Sequence, residues 1–155
     1  MKTSVNGLWR ISWGDRIDLD PLLKAEGLKL TAQRREAVAQ ALNRRRHFSA
    51  EELYEGLKKR QAGISRATVY RTLRLLTEHN FLEVHDFDRG YRLYESRLGR
   101  HHHDHLVCLR CKRITEFENP EIEEEQDKVA RRHHFKILSH SHKVYGLCHS
   151  CRGRH

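Results

Sequence analysis

Residues 65–80 read SRATVYRTLRLLTEHN, and the two faces of this stretch decide the fold. Ser65 is a natural helix N-cap, and Val69, Leu73 and Leu76 then recur at helical spacing along one side. The other side shows Ser65, Arg66, Thr68, Tyr70 and Arg71 close to the helix start. These are hydrogen-bonding and cationic groups, the kind that read base edges when a helix lies in the major groove. An ordinary solvated face with arginines has the same composition, so the neighbouring segments must decide between the two.

Upstream, Ser49 and Glu52 have capping-box spacing and open a helix carrying Leu53, Tyr54 and Leu57. Thr31 caps a further helix, Ala32 to Leu42, whose apolar stripe is Ala37, Val38, Ala41 and Leu42. A short helix over Pro21 to Glu26 stops at Gly27. Downstream, Phe81 to Phe87 and Tyr91 to Glu95 alternate like strands about a turn at Asp88-Arg89-Gly90. Helices followed by a two-stranded ribbon give a winged helix-turn-helix. In that setting the face of residues 65–71 reads DNA. Arg71 and Arg74 neutralise phosphates, and Lys29, Arg34 and Arg35 add contacts near an earlier helix start. Arg44-Arg45-Arg46 reads as a solvated loop.

The totals agree with a polyanion partner. Of 155 residues, 30 are Lys or Arg against 21 acids, a formal charge of +9. The 37% of hydrophobic residues suffices for modest cores. No run of about 20 apolar residues suggests a membrane span, and Trp9, Ile11 and Trp13 lie among charges rather than in an apolar leader. The default expectation is a cytoplasmic chain, in which cysteines serve metals or redox chemistry before disulfides.

The two halves differ in chemistry. Only His47, His79 and His85 of the 13 histidines precede Ser96, and all four cysteines follow it. The expected organisation is therefore an extension over residues 1–18, a DNA-binding domain over 19–96 and a metal-binding domain over 97–155. In the latter, His101 to Cys108, Arg113 to Phe117 and Phe135 to His142 look extended. Pro120 opens a helix over Glu121 to Arg132 with acids early and arginines late, as its dipole favours. Cys108-x-x-Cys111 and Cys148-x-x-Cys151 each form a knuckle with two sulfurs at tetrahedral spacing, and together make a zinc site. His101-His102-His103-Asp104-His105 precedes the first knuckle. On a strand, His103 and His105 share one face and His102 and Asp104 the other, so one segment feeds two sites with ligands suited to Fe(II), Mn(II), Co(II), Ni(II) or Zn(II).

Taken together these motifs resemble the ferric uptake regulator family of bacterial metal-dependent repressors, from about Asp20 to Cys151. The likeness rests on Leu28-Lys29-Leu30-Thr31, His47-Phe48-Ser49-Ala50-Glu51, Ala67-Thr68-Val69-Tyr70-Arg71, the histidine run and the two cysteine pairs. It implies an α+β chain, with an N-terminal winged helix and a C-terminal α/β dimerisation domain. The implied homodimer binds an A/T-rich palindromic operator. Tyr70, Arg71 and Lys29 are the implied DNA contacts, Lys29 near the minor groove. Cys108, Cys111, Cys148 and Cys151 match the family's structural zinc site. His47, Glu95, His103, His105 and Glu116 match its regulatory site, with one residue more than usual between Glu95 and the histidines. His102, Asp104, Glu123 and His140 match a further site. His142 and His149 have no assigned role.

The resemblance also implies a sensing scheme. An ion drawing ligands from both halves restricts their angle, and so sets the spacing of two recognition helices in the dimer. Fe(II) is the expected regulatory ion, with Mn(II), Co(II) or Zn(II) able to substitute. Glu95 and Glu116 stand where peroxide sensors of the family tend to have aspartates, and no cysteine is left over for a zinc-sensing site. Manganese, zinc and peroxide sensing are the alternatives within the family. A zinc metalloenzyme lacks support, since neither an HExxH helix nor a nucleophile motif occurs, and a plain metal buffer leaves the residue 65–71 face without a purpose.

Overall fold

A computed structural model describes residues 8–10, 16–18, 20–29, 31–60 and 63–153. Ile11, Trp13 and Leu30, which entered the reading above, lie outside the described residues. The chain divides into two compact units, Met1–Arg100 and His101–His155.

The first unit begins with strands β1 (Leu8–Arg10) and β2 (Arg16–Asp18), paired antiparallel with Trp9 opposite Ile17. Four helices follow, α1 (Asp20–Ala25), α2 (Ala32–Leu42), α3 (Ala50–Lys58) and α4 (Arg66–Glu78), and α2, α3 and α4 pack against one another. Their ends are set locally. Thr31 accepts the Arg34 N–H at 3.2 Å, and Ser65 accepts the Thr68 N–H at 3.1 Å. At α3 the capping box is complete: Ser49 accepts from Glu52 N at 3.1 Å while Glu52 accepts from Ser49 N at 2.7 Å. Helix α4 ends two residues before the expected Asn80, which instead takes a left-handed conformation (φ 58°) and lets the chain turn into the sheet.

That sheet has the order β3-β5-β4, with β3 at Phe48–Ser49, β4 at Leu82–Asp86 and β5 at Arg92–Ser96, all antiparallel. The core lies between helices and sheet. Val38, Ala41 and Leu42 of α2, Leu53 and Leu57 of α3, and Val69, Leu73 and Leu76 of α4 are each no more than 1% exposed, and Phe48 and Leu82 close the cluster. Burying these faces leaves the outer side of α4 free: Tyr70 is 51% exposed.

The second unit is built around β6 (Asp104–Cys108), which pairs antiparallel with β7 (Ile114–Phe117) and parallel with β8 (Lys143–Gly146). Between them runs α5 (Pro120–Arg132), with Asn119 accepting from the N–H of Glu121 at 2.9 Å. The short α6 (His149–Arg152) closes the unit. Two expectations change here. His101 to His103 precede the strand rather than extend it. The segment Phe135 to His142 is not a strand; β8 begins only at Lys143. A strand needs a ladder partner, and the bond from His105 N to His142 O is where the segment first meets β6. Phe135 (69% exposed) and Leu138 (86%) instead stand outward, and an open groove of about 760 Å³ runs between this segment and α5, lined by Ile122, Val129, Ala130, Phe135 and Ile137.

The core position of Leu73 makes a direct prediction. Leu73→Ala removes a fully buried side chain from α4, a loss of about 2–5 kcal/mol. Thermal unfolding followed by circular dichroism is expected to show a fall of about 10 °C or more, whereas the exposed Arg74→Ala changes stability by no more than about 0.5 kcal/mol.

Candidate metal centres and nucleic-acid interface

Among the described residues, four groups of ligand-type side chains form within single units. The first is sulfur. Cys108 ends β6, Cys111 follows in the turn before β7, and Cys148 and Cys151 flank the start of α6. All four gather at one point as free thiols, with Cys111 Sγ 3.7 Å from Cys148 Sγ. A disulfide would need about 2.0 Å, while two thiolates on one tetrahedral zinc, each at about 2.3 Å, stand about 3.8 Å apart. The spacing therefore fits a metal. Electrostatics agree: the backbone N–H groups of Cys148 and Cys111 hold the Cys108 thiol down at about 5, while hydrogen bonding to Cys148 and burial push Cys151 up to about 12. Without a cation one thiolate is stabilised at the cost of its neighbours, since adjacent negative charges cannot all form.

The second group is His102, Asp104, Glu123 and His140. Asp104 is the first residue of β6, Glu123 lies on the first turns of α5 and His140 on the connection to β8. His140 Nε2 lies 2.6 Å from His102 Nε2 and 3.1 Å from Glu123 Oε1, and His102 Nε2 lies 3.4 Å from Asp104 Oδ1. Asp104 is 1% exposed, and its Oδ1 accepts no hydrogen bond among the described residues. A buried carboxylate oxygen with imidazole nitrogens around it and no donor is a place that a divalent cation fits. His142 Nδ1 approaches the other oxygen, Oδ2, at 3.8 Å, and His149 turns away to Arg152.

On the opposite side of the same segment lie His103 and His105, ring centroids 5.1 Å apart. Glu116 of β7 is the ladder partner of His105, and its Oε2 comes to 4.0 Å from His103 Nε2. The alternation expected of the histidine run thus holds, although only its last two residues are strand.

The winged-helix unit carries the fourth group. His47, just before β3, has its Nε2 3.0 Å from Oε2 of Glu95 on β5. His85 of β4 reaches the same oxygen at 3.2 Å, and Arg100 Nη1 lies 2.6 Å from the other, Oε1. The sequence reading missed His85 and Arg100. The signal for His85 was available: a three-residue turn centred on Arg89 sets His85 opposite Leu93, and period two then brings Glu95 to the same face.

Of the residues expected at DNA, Lys29, Ser65, Arg66, Tyr70 and Arg71 are exposed. Arg34, Ser65, Arg66 and Thr68 also make contacts within the unit. Arg34 is 8% exposed, and its guanidinium donates to the Lys29 carbonyl, shaping the loop that presents Lys29. Burial, and then the charge of Arg71, lower its pKa. Arg66 grips Glu51 of α3 (Nη2 to Oε1 2.6 Å) and lies over the Tyr54 ring at 4.4 Å, tying the two helices of the helix-turn-helix together. Ser65 and Thr68 bond each other at 2.9 Å in the helix cap.

Known proteins are similar to this chain in sequence and fold. A family model described as the ferric uptake regulator family matches residues 25–145. The ferric uptake regulation protein of Neisseria meningitidis is 38% identical over 133 residues, covering 85% of this chain and 92% of the relative. Among solved structures, the Helicobacter pylori ferric uptake regulator, described as having three functional metal-binding sites, superposes with a TM-score of 0.78 at 34% identity over 88% of this chain and 90% of its own. The Francisella tularensis ferric uptake regulator, solved with iron, has a TM-score of 0.71 at 30% identity, over 81% of this chain and 96% of its own.

The sulfur group predicts a pH dependence with a definite sign. Protein stripped of metal must lose thiol protons to take up zinc, Cys151 above all. Calorimetry in buffers of differing ionisation enthalpy should therefore register proton release, and zinc affinity should fall as pH drops from about 8 to 6. Cys111→Ser should lower zinc content and the unfolding temperature together.

Proposed function

The chain belongs to the ferric uptake regulator family, and we propose that it is an Fe(II)-dependent DNA-binding repressor of metal-uptake genes. One observation carries the reading: His47 and Glu95, both metal-ligand types, meet at 3.0 Å on the unit that bears the exposed Tyr70-Arg71 face. Groups that would hold a cation are thus part of the DNA-reading half itself. Glu95 and His47, with His103, His105 and Glu116 of the second unit, are the proposed ligands of the regulatory ion. Imidazole and carboxylate donors of this kind suit Fe(II), with Mn(II), Co(II) and Zn(II) as substitutes. The four cysteines are the proposed structural zinc site, and His102, Asp104, Glu123 and His140 a further metal site.

DNA binding follows from the same unit. Tyr70 and Arg71 meet base edges and phosphates in the major groove and Lys29 reaches the minor groove, while Arg34, Ser65, Arg66 and Thr68 position the loop and helix that present them. A second copy of the chain covers the groove between α5 and Phe135 to His142, burying Phe135 and Leu138. The resulting two-fold dimer matches an A/T-rich palindromic operator. The proposed compartment is the cytoplasm; among the described residues no helix is long and apolar enough to cross a membrane.

Fluorescence anisotropy with an A/T-rich palindromic duplex tests this anaerobically, on protein holding only its structural zinc. Fe(II), or Mn(II) in its place, is expected to tighten binding tenfold or more, about 1.4 kcal/mol of coupling, and His103→Ala should abolish the response. Tightening by Zn(II) alone would move the protein to zinc sensing. A metal response surviving in His103→Ala would contradict the assigned ligands.

A further inference from the structure

Strand pairing in the winged-helix unit concentrates three titratable side chains on one face. His85 pairs with Leu93 across β4 and β5, so Glu95, two residues on from Leu93, shares the face of His85. Ser49 pairs with Leu93 and Phe48 with Tyr94, which brings His47, one residue before, alongside Glu95. Both imidazoles consequently aim Nε2 at a single oxygen, Glu95 Oε2, from 3.0 and 3.2 Å. The other oxygen, Oε1, forms an ion pair with Arg100 Nη1 at 2.6 Å, and Arg100 is itself anchored by donating to the Arg45 carbonyl at 2.7 Å.

The imidazoles are themselves held. The Phe87 ring, 1% exposed, stacks on His85 at 5.1 Å and meets His47 edge-on at 5.3 Å, while the two imidazoles pack at 5.2 Å. Rings braced in this way cannot swing their nitrogens apart. Donor atoms bound to one ion at about 2.0–2.2 Å stand about 2.9 Å apart at right angles and about 3.4 Å apart in a tetrahedron. Both observed distances fall in this range.

We propose that His85 is a metal ligand, and that His47, His85 and Glu95 form a two-histidine, one-carboxylate seat for Fe(II) built entirely from the winged-helix unit. Three donors on one side of an ion, with the remaining positions open, is an arrangement suited to Fe(II). The inference rests on the metal-responsive reading and extends it: the DNA-reading unit holds the ion by three donors of its own, and other ligands complete the shell. Glu95 binds through Oε2 alone, because Arg100 keeps Oε1; Arg100 is a positioning residue. The competing account makes His85 only a buried hydrogen-bond donor to Glu95. A purely structural pair of this sort carries a desolvation cost that an apolar pair would avoid.

His85→Gln separates the two, because glutamine keeps an N–H for Glu95 but is a poor ligand. The full-length chain, with its cysteine zinc in place, is titrated with Co(II) and followed by proton NMR of the hyperfine-shifted, solvent-exchangeable imidazole N–H resonances. The variant is expected to lose one such resonance present in the unmutated protein and to bind Co(II) at least tenfold more weakly, with zinc content and unfolding temperature unchanged. An identical set of resonances and an identical affinity would overturn the proposal while leaving the regulatory reading intact. No shifted imidazole resonance in the unmutated protein would overturn both. If His85→Gln unfolds early, cadmium-113 bound to the unmutated chain decides instead: through-bond coupling to His85 Nε2 supports the proposal, and its absence overturns it.

Discussion

The four sulfur atoms of Cys108, Cys111, Cys148 and Cys151 stand where the second unit would otherwise need a core. Among its described residues only Val107, Cys108 and Cys151 are buried apolar groups, and α5 buries none of its residues. So little apolar burial cannot offset the conformational entropy of ordering the unit. The two cysteine pairs bring the end of β6 to the start of α6, 40 residues away in the sequence, and the proposed zinc there would add its binding free energy directly to folding. The exposed apolar face of α5 and residues 135–138 is the other half of the same deficit, which burial against the proposed second copy would supply. The first unit has no such need, because its helices and sheet enclose a continuous core.

On these two supports the ligands are sorted by strand alternation. Residues 102 and 104 face one side, 103 and 105 the other, and the rule repeats in the first unit, where His85, Phe87, Leu93 and Glu95 share a face. A period of two is an economical way to place imidazole and carboxylate groups at ion-binding separations.

Much of this was legible in the sequence where local chemistry decides. Thr31, Ser49 and Ser65 cap their helices because a side-chain oxygen needs only the N–H groups of the next turn. The cysteine knuckles and the histidine run are likewise short-range patterns. What escaped depends on partners far along the chain. Phe135 to His142 has strand composition, but its ladder partner decides its state. Arg34 and Arg66 look like free cations until the Lys29 carbonyl and Glu51 claim them. His85 looked unremarkable because its significance lies in the register of the hairpin, which places it over Glu95.

The central claim is that cation binding and DNA binding favour the same state of the protein. Linkage makes that reciprocal: whatever factor metal adds to DNA affinity, DNA must add to metal affinity. The most direct measurement is the Mn(II) affinity of the regulatory site, by calorimetry or Mn(II) electron paramagnetic resonance, with and without saturating operator duplex at fixed salt. The account predicts that Mn(II) binds tighter on DNA, by the factor with which Mn(II) tightens DNA. Equal Mn(II) affinities in the two conditions would contradict it.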